Sequence, residues 1–196
     1  VKSDLLATTS PAAIRDDRPV TMTSEAARIA DLPQRTERQL RFGGHNVATA
    51  RRLSGTGNAM VRYYLDEAAI LFVAVRLVRL SVTWPVAIDI GRRAVAGLAH
   101  YALQGVAAPA SLYISIPPDS DDPRRPDFIM PTALDTELQT IAGFRLAAVV
   151  TIVVPARQLL DRFCARATSE LGVEVTPKDV LACHIAGALG RSEGDH

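Results

Sequence analysis

The sequence predicts a mainly α protein that carries a smaller α+β part toward its C-terminal end. Three observations lead there. Two short helical segments flank Asp31-Leu32-Pro33, and a longer apolar run over residues 65–80 repeats at helical spacing. After residues 105–109 the character changes, and β-branched runs at 111–116 and 146–154 read as strands around a proline-rich loop. The expected organisation is a weakly ordered tail over 1–20, a helix-turn-helix domain over 21–104, and a small α+β domain over 110–190 for dimerisation or sensing.

The tail mixes Thr8-Thr9-Ser10-Pro11 with Arg15-Asp16-Asp17-Arg18-Pro19 and has little to bury. The first helix then has its start signals: Thr23 or Ser24 as N-cap and Glu25 in the first turn, where a carboxylate suits the helix dipole. Ala26, Ala27, Ile29 and Ala30 supply its apolar face. Pro33 ends this helix by disfavouring helical backbone at Leu32, and itself suits the first position of the next. The second helix carries Arg35, Thr36, Arg38, Gln39 and Arg41, with Leu40 as anchor. Such side chains are donors suited to base edges and phosphates.

A glycine-rich stretch with Gly43, Gly44, Gly55 and Gly57 follows, then the helix over 65–80, with Asp66 and Glu67 in its first turn. Ile70, Leu71, Val73, Ala74, Leu77 and Val78 mark its buried face. Thr83 is placed to cap a further helix, with Pro85 near its start and Trp84, the single tryptophan, as a packing anchor.

The run from Ser24-Glu25-Ala26-Ala27-Arg28 to Pro33, then Arg35, Thr36 and Arg38, then Arg62-Tyr63-Tyr64 before Asp66-Glu67-Ala68, resembles the winged helix-turn-helix domain of MerR-type transcriptional regulators. The resemblance spans about residues 21–103. It implies an N-terminal winged helix-turn-helix in which the second helix enters the major groove and the wing touches the DNA backbone. Its Arg-Tyr element precedes a third helix that closes the core. The implied DNA-binding residues are Thr23, Ser24, Arg35, Thr36, Arg38, Gln39, Arg41, Arg51, Arg52, Arg62, Tyr63 and Tyr64. On the wing, His45, Asn46 and Asn58 would join Arg51 and Arg52 in facing DNA. Three departures bear on this: Gln39 stands where the family usually has an aromatic residue, the segment 42–60 exceeds a usual wing, and no long heptad helix follows. The family's sensing chemistry is therefore not carried over.

Charge is distributed in keeping with that reading. The chain has 196 residues and net charge +1, but residues 1–103 hold 14 Lys+Arg against 9 Asp+Glu, whereas 104–196 hold 8 against 12. A basic front and acidic back fit a nucleic-acid head joined to another unit. Cys164 and Cys183 form no C-x-x-C pattern, which points to a reducing cytoplasm. No apolar run is long enough to span a membrane, and the opening residues lack a secretory layout.

In the back half, Pro155 opens a helix over about 156–171 that Gly172 ends, and Thr176-Pro177-Lys178-Asp179 starts another in the manner of a capping box. Asp119, Asp121 and Asp122 lack calcium-loop spacing, and His184 beside Cys183 reads as structural rather than metal-binding. No phosphate loop, nucleophile elbow or paired catalytic carboxylates are present, so no catalytic residue, metal or cofactor is expected.

The expected function is a sequence-specific DNA-binding transcription regulator whose partner is double-stranded DNA, a class that includes antitoxin-type and phage-type autoregulators. A cytoplasmic homodimer formed mainly after Ala110 is expected, with no membrane partner and with the C-terminal part free to take a protein partner. The alternative is a non-enzymatic protein-interaction adaptor that keeps the helix-turn-helix shape, supported by Gln39.

Overall fold

The computed structural model of the chain describes residues 20–45, 47–48, 50–53, 59–103, 112–116, 127–129 and 150–192. In order these form β1 (Val20–Met22), α1 (Thr23–Ala30), α2 (Gln34–Phe42), β2 (Ala50–Leu53), β3 (Ala59–Tyr64), α3 (Leu65–Val78), α4 (Trp84–Leu103), β4 (Leu112–Ile116), β5 (Asp127–Ile129), β6 (Val150–Val154), α5 (Ala156–Leu171) and α6 (Pro177–Ser192).

Two strand-to-helix corners of the same design open the front half. Met22, extended at φ −67° and ψ 153°, is the N-cap of α1, and its N–H donates to Glu25 Oε2 at 2.6 Å. Tyr64 is the N-cap of α3, and its N–H donates to Glu67 Oε2 at 2.9 Å. In each case a glutamate at the third helical position satisfies a backbone donor that the helix leaves free. The expected cap at Thr23 or Ser24 is thus displaced by one or two residues, because β1 runs directly into the helix. At its other end α1 closes on Asp31 in the left-handed region (φ 59°), with Leu32 N–H reaching Ala27 O at 2.9 Å and Asp31 N–H reaching Arg28 O at 3.0 Å.

The corners sit side by side because β1 pairs antiparallel with β3, Val20 opposite Tyr64 and Met22 opposite Arg62. The other edge of β3 pairs antiparallel with β2, Ala50 opposite Arg62 and Leu53 opposite Ala59, giving the order β1-β3-β2. Further on, β4 lies between β5 and β6, antiparallel to both.

α3 is the centre of the molecule. It is buried on all sides except at Arg76 and Val78, as an apolar circumference demands. α4 packs against it so closely that a Cβ on Gly91 would lie 2.9 Å from Ile70 O, so that crossing requires glycine. α5 approaches from elsewhere, and Phe163 meets Phe72 edge to face at 5.7 Å. Val180 and Cys183 of α6 are also buried, and one apolar core runs from Ala26 of α1 to Cys183 of α6. Gly172 (φ 69°) ends α5 as its sequence position anticipates, and Thr176 with Asp179 starts α6 through reciprocal bonds, Thr176 N–H to Asp179 Oδ2 at 2.8 Å and Asp179 N–H to Thr176 Oγ1 at 3.4 Å.

The expected fold class, a mainly α body with an N-terminal winged helix-turn-helix and a smaller α+β C-terminal part, is corrected by this arrangement. Six helices dominate the described residues, and a small sheet lies at the N-terminal end. Its extra strand, Val20–Met22, exists because β3 offers a second edge beside the start of α1. The two C-terminal helices, for their part, bury Leu160, Phe163 and Val180 in the same core as α3 rather than in a unit of their own. Of the expected tail over 1–20 only Val20 is described, and it opens β1; the rest of that tail, the linker over 105–109 and the strand start at 146–149 lie outside the described residues.

Candidate nucleic-acid interface

α2 presents two different faces. Pro33 precedes it, and its carbonyl accepts from Thr36 N–H at 2.8 Å and Glu37 N–H at 3.1 Å. Glu37 and Leu40 point inward and are buried, while Arg35, Arg38 and Gln39 are exposed to solvent. Thr36 is half-buried between the two faces.

The inward face is held by charge as well as by Leu40. Glu37 is 1% exposed, and it accepts the Tyr63 hydroxyl at 2.8 Å. Arg41 Nε stands 2.6 Å from Glu37 Oε1, a charge contact whose N–H is not aligned as a hydrogen bond. A carboxylate this deep is tolerable only with such partners. Burial raises the Tyr63 phenol well above its ordinary pKa, and the Glu37 charge raises it further, so the hydroxyl stays a donor. α2 is thereby pinned to β3, and from β3 to the hairpin that β2 and β3 make.

This geometry sorts the residues singled out from the sequence. Arg35, Arg38 and Gln39 share the open face of α2. Arg41 is turned toward Glu37, its side chain only 19% exposed. Tyr63 and Tyr64 are core residues, at 2% and 4% exposure, so they support α2 and cap α3 from inside rather than offering a surface. Arg62 is half-buried in the central strand of the sheet. Arg51 and Arg52 lie on the edge strand β2, opposite Val61 and Met60. Thr23 and Ser24 occupy the first turn of α1, both half-buried. His45 is half-buried just after α2, its N–H on Leu40 O at 3.1 Å, while Asn46 and Asn58 lie outside the described residues.

Two residues of this region escape a reading of the sequence. Glu37 looks like one more surface charge, although its spacing of four from Arg41 is a signal for a helical ion pair. Phe42 ends α2 with 75% of its surface exposed, and the Arg38 and Arg41 guanidiniums lie 5.8 and 5.6 Å from its ring centre. An exposed aromatic flanked by two cations is a ready platform for stacking.

At the start of α3, Asp66, Cys183 and His184 meet. Cys183 Sγ lies 3.2 Å from Asp66 Oδ1 and His184 Nδ1 lies 3.1 Å from Oδ2, tying α6 to the start of α3. Among the described residues no group of three or more His, Cys, Asp or Glu is placed to hold a metal ion, and no helix is long and apolar enough to cross a membrane. No protein-family model matches the chain, and a search of the curated proteins finds no significant relative.

Proposed function

We propose that this protein is a sequence-specific DNA-binding transcription regulator of MerR-like type, with α2 as its recognition helix and the β2–β3 hairpin alongside touching the DNA backbone. The observation that carries the reading is the division of α2 into an anchored face, Glu37 and Leu40, and an open face with Arg35, Arg38 and Gln39. A recognition helix needs both, because side chains read base edges only from a backbone that does not move. Arg38 is the bidentate base reader in this reading, Gln39 its neighbour, and Arg51 and Arg52 are phosphate contacts. Cytoplasmic location, homodimerisation through residues after Ala110 and the absence of catalysis belong to the same proposal.

The test is fluorescence anisotropy of the full chain on a duplex selected from random sequence, titrated across salt. The expected result is saturable binding with a steep salt slope and an inverted-repeat site bound by a dimer. Absence of salt-dependent duplex binding overturns it.

Phe42 favours a second reading. An exposed aromatic between arginines is also the composition of a protein-interaction anchor. In that reading the chain is an adaptor, and Phe42→Ala abolishes partner binding while no DNA is bound at all.

A further inference from the structure

At the turn that precedes α2, arginines from three parts of the chain meet in one cleft. It is open, of about 510 Å³, and the end of α1, the residue after α3, and α5 contribute Arg28, Arg79 and Arg166 to its walls. Leu32 and Pro33 form an apolar side, and two carboxylates, Asp31 and Glu170, complete it. A volume of this order lies within the range of small-molecule sites.

The carboxylates are already engaged. Arg79 Nη2 pairs with Asp31 Oδ2 at 2.8 Å, and Arg28 Nε with Glu170 Oε2 at 2.8 Å. Arg166 has no such partner among the described residues: its Nη2 donates to the Arg28 carbonyl at 2.9 Å. Arg76, one turn before Arg79, is in the same position, with its Nη1 on the Phe72 carbonyl at 2.8 Å and its guanidinium 3.2 Å from the Phe72 ring centre. The cations therefore outnumber the anions around this cleft. Burial first, and then the charges of Arg166 and Arg79, lower the Arg76 pKa to about 10. Cations crowded against their own kind stand to gain from an added anion.

We propose that this cleft binds a small diphosphate-bearing ligand, with the guanidiniums of Arg166, Arg79 and Arg28 on its phosphoryl oxygens and the rest of the molecule against Leu32 and Pro33. Planar guanidinium forks from three parts of the chain match the oxygen-rich surface of a diphosphate better than they match a lone monoanion. Because the cleft joins the turn before α2 to α5, occupancy clamps the front of the molecule to its back. The site stands on its own geometry and does not depend on the DNA reading.

The experiment is calorimetric titration of the full chain with inorganic pyrophosphate at constant ionic strength, with sulfate as control. Saturable binding of pyrophosphate, weakened about tenfold or more by Arg166→Ala, is the expected result. Since Arg166→Ala also removes a bond to α1, a second variant guards against misfolding: Asp31→Asn keeps the left-handed turn, which asparagine tolerates, and releases Arg79. It is expected to tighten pyrophosphate several-fold, a gain that a damaged fold does not produce. Sulfate binding as well as pyrophosphate, no saturable binding, or affinity unchanged in both variants overturns the proposal. Duplex DNA that displaces pyrophosphate and loses the same factor to Arg166→Ala also overturns it, because the anion is then the DNA backbone.

Discussion

The Tyr63 hydroxyl donates a hydrogen bond to the buried carboxylate of Glu37 at 2.8 Å, joining residues 26 positions apart in sequence. This one bond couples the position of α2 to that of β3. Tyr63→Phe removes the donor and leaves the shape. A hydrogen bond to a charged acceptor in a dry site is worth about 1.5–3 kcal/mol, so urea unfolding should show a loss of that order. A loss below about 0.5 kcal/mol would mean that Arg41 alone satisfies Glu37.

The two arginines on either side of α2 should separate cleanly. Arg38→Ala touches nothing buried and is expected to leave stability unchanged within about 0.5 kcal/mol. On the proposed function it costs about 1–3 kcal/mol of specific DNA affinity and spares random duplex. Arg41→Ala leaves Glu37 without its cation and is expected to lower the unfolding free energy by about 1–3 kcal/mol. Paired unfolding and anisotropy measurements on both variants check this, and equal behaviour would refute the assignment of faces.

Packing at α3 sets a larger magnitude. Phe163 is 1% exposed and meets Phe72 edge to face, so Phe163→Ala should cost about 3–5 kcal/mol. Gly91→Ala drives a methyl to within 2.9 Å of Ile70 O and should cost about 1–3 kcal/mol by forcing the helices apart. A chain ending at Gln104 lacks Leu160, Phe163 and Val180 and is expected to unfold without a cooperative transition. A sharp melt for that truncated chain would show that the front half is self-sufficient.

The start of α6 predicts a pH dependence. The Thr176 hydroxyl and N–H hold the Asp179 carboxyl below its ordinary value. A lowered folded-state pKa stabilises at pH above the unfolded value, about 3.9, and that contribution fades as pH falls through the folded one. Thr176→Ala should therefore cost about 1 kcal/mol near pH 6. Its deficit relative to the parent chain should shrink as pH falls below about 3, down to what the Asp179 N–H bond to Thr176 Oγ1 contributes. A deficit that is constant from pH 6 to well below pH 3 would assign the cost to the lost hydroxyl alone.

Local features were legible from composition and spacing. The buried Ile70, Leu71, Val73, Ala74 and Leu77 of α3, the stop at Gly172 and the paired Thr176 and Asp179 are each written in a few neighbouring residues, and each is found, although α3 is buried well beyond the one face that its spacing marks and Val78 is not. Longer-range features were not. Val20–Met22 is too short to show an alternating pattern, and it becomes a strand only because β3 has a vacant edge beside it. The apolar stripes of α5 and α6 are visible in sequence, but nothing local says that Phe163 meets Phe72 across the front half. In the candidate interface the basic residues of α2 were evident. Which of them turn inward was decided by Glu37, whose burial depends on a tyrosine 26 residues away.

The single core has a consequence for biosynthesis. α3 leaves the ribosome roughly 100 residues before α6, an interval of about 5–20 s at ordinary elongation rates. During that time the faces of Phe72 and Val73 that later meet α5 are open to water and to other nascent chains. The front segment covers its apolar surface only when α5 and α6 have been made, so a message truncated before or within them yields a sticky fragment for chaperones and proteases.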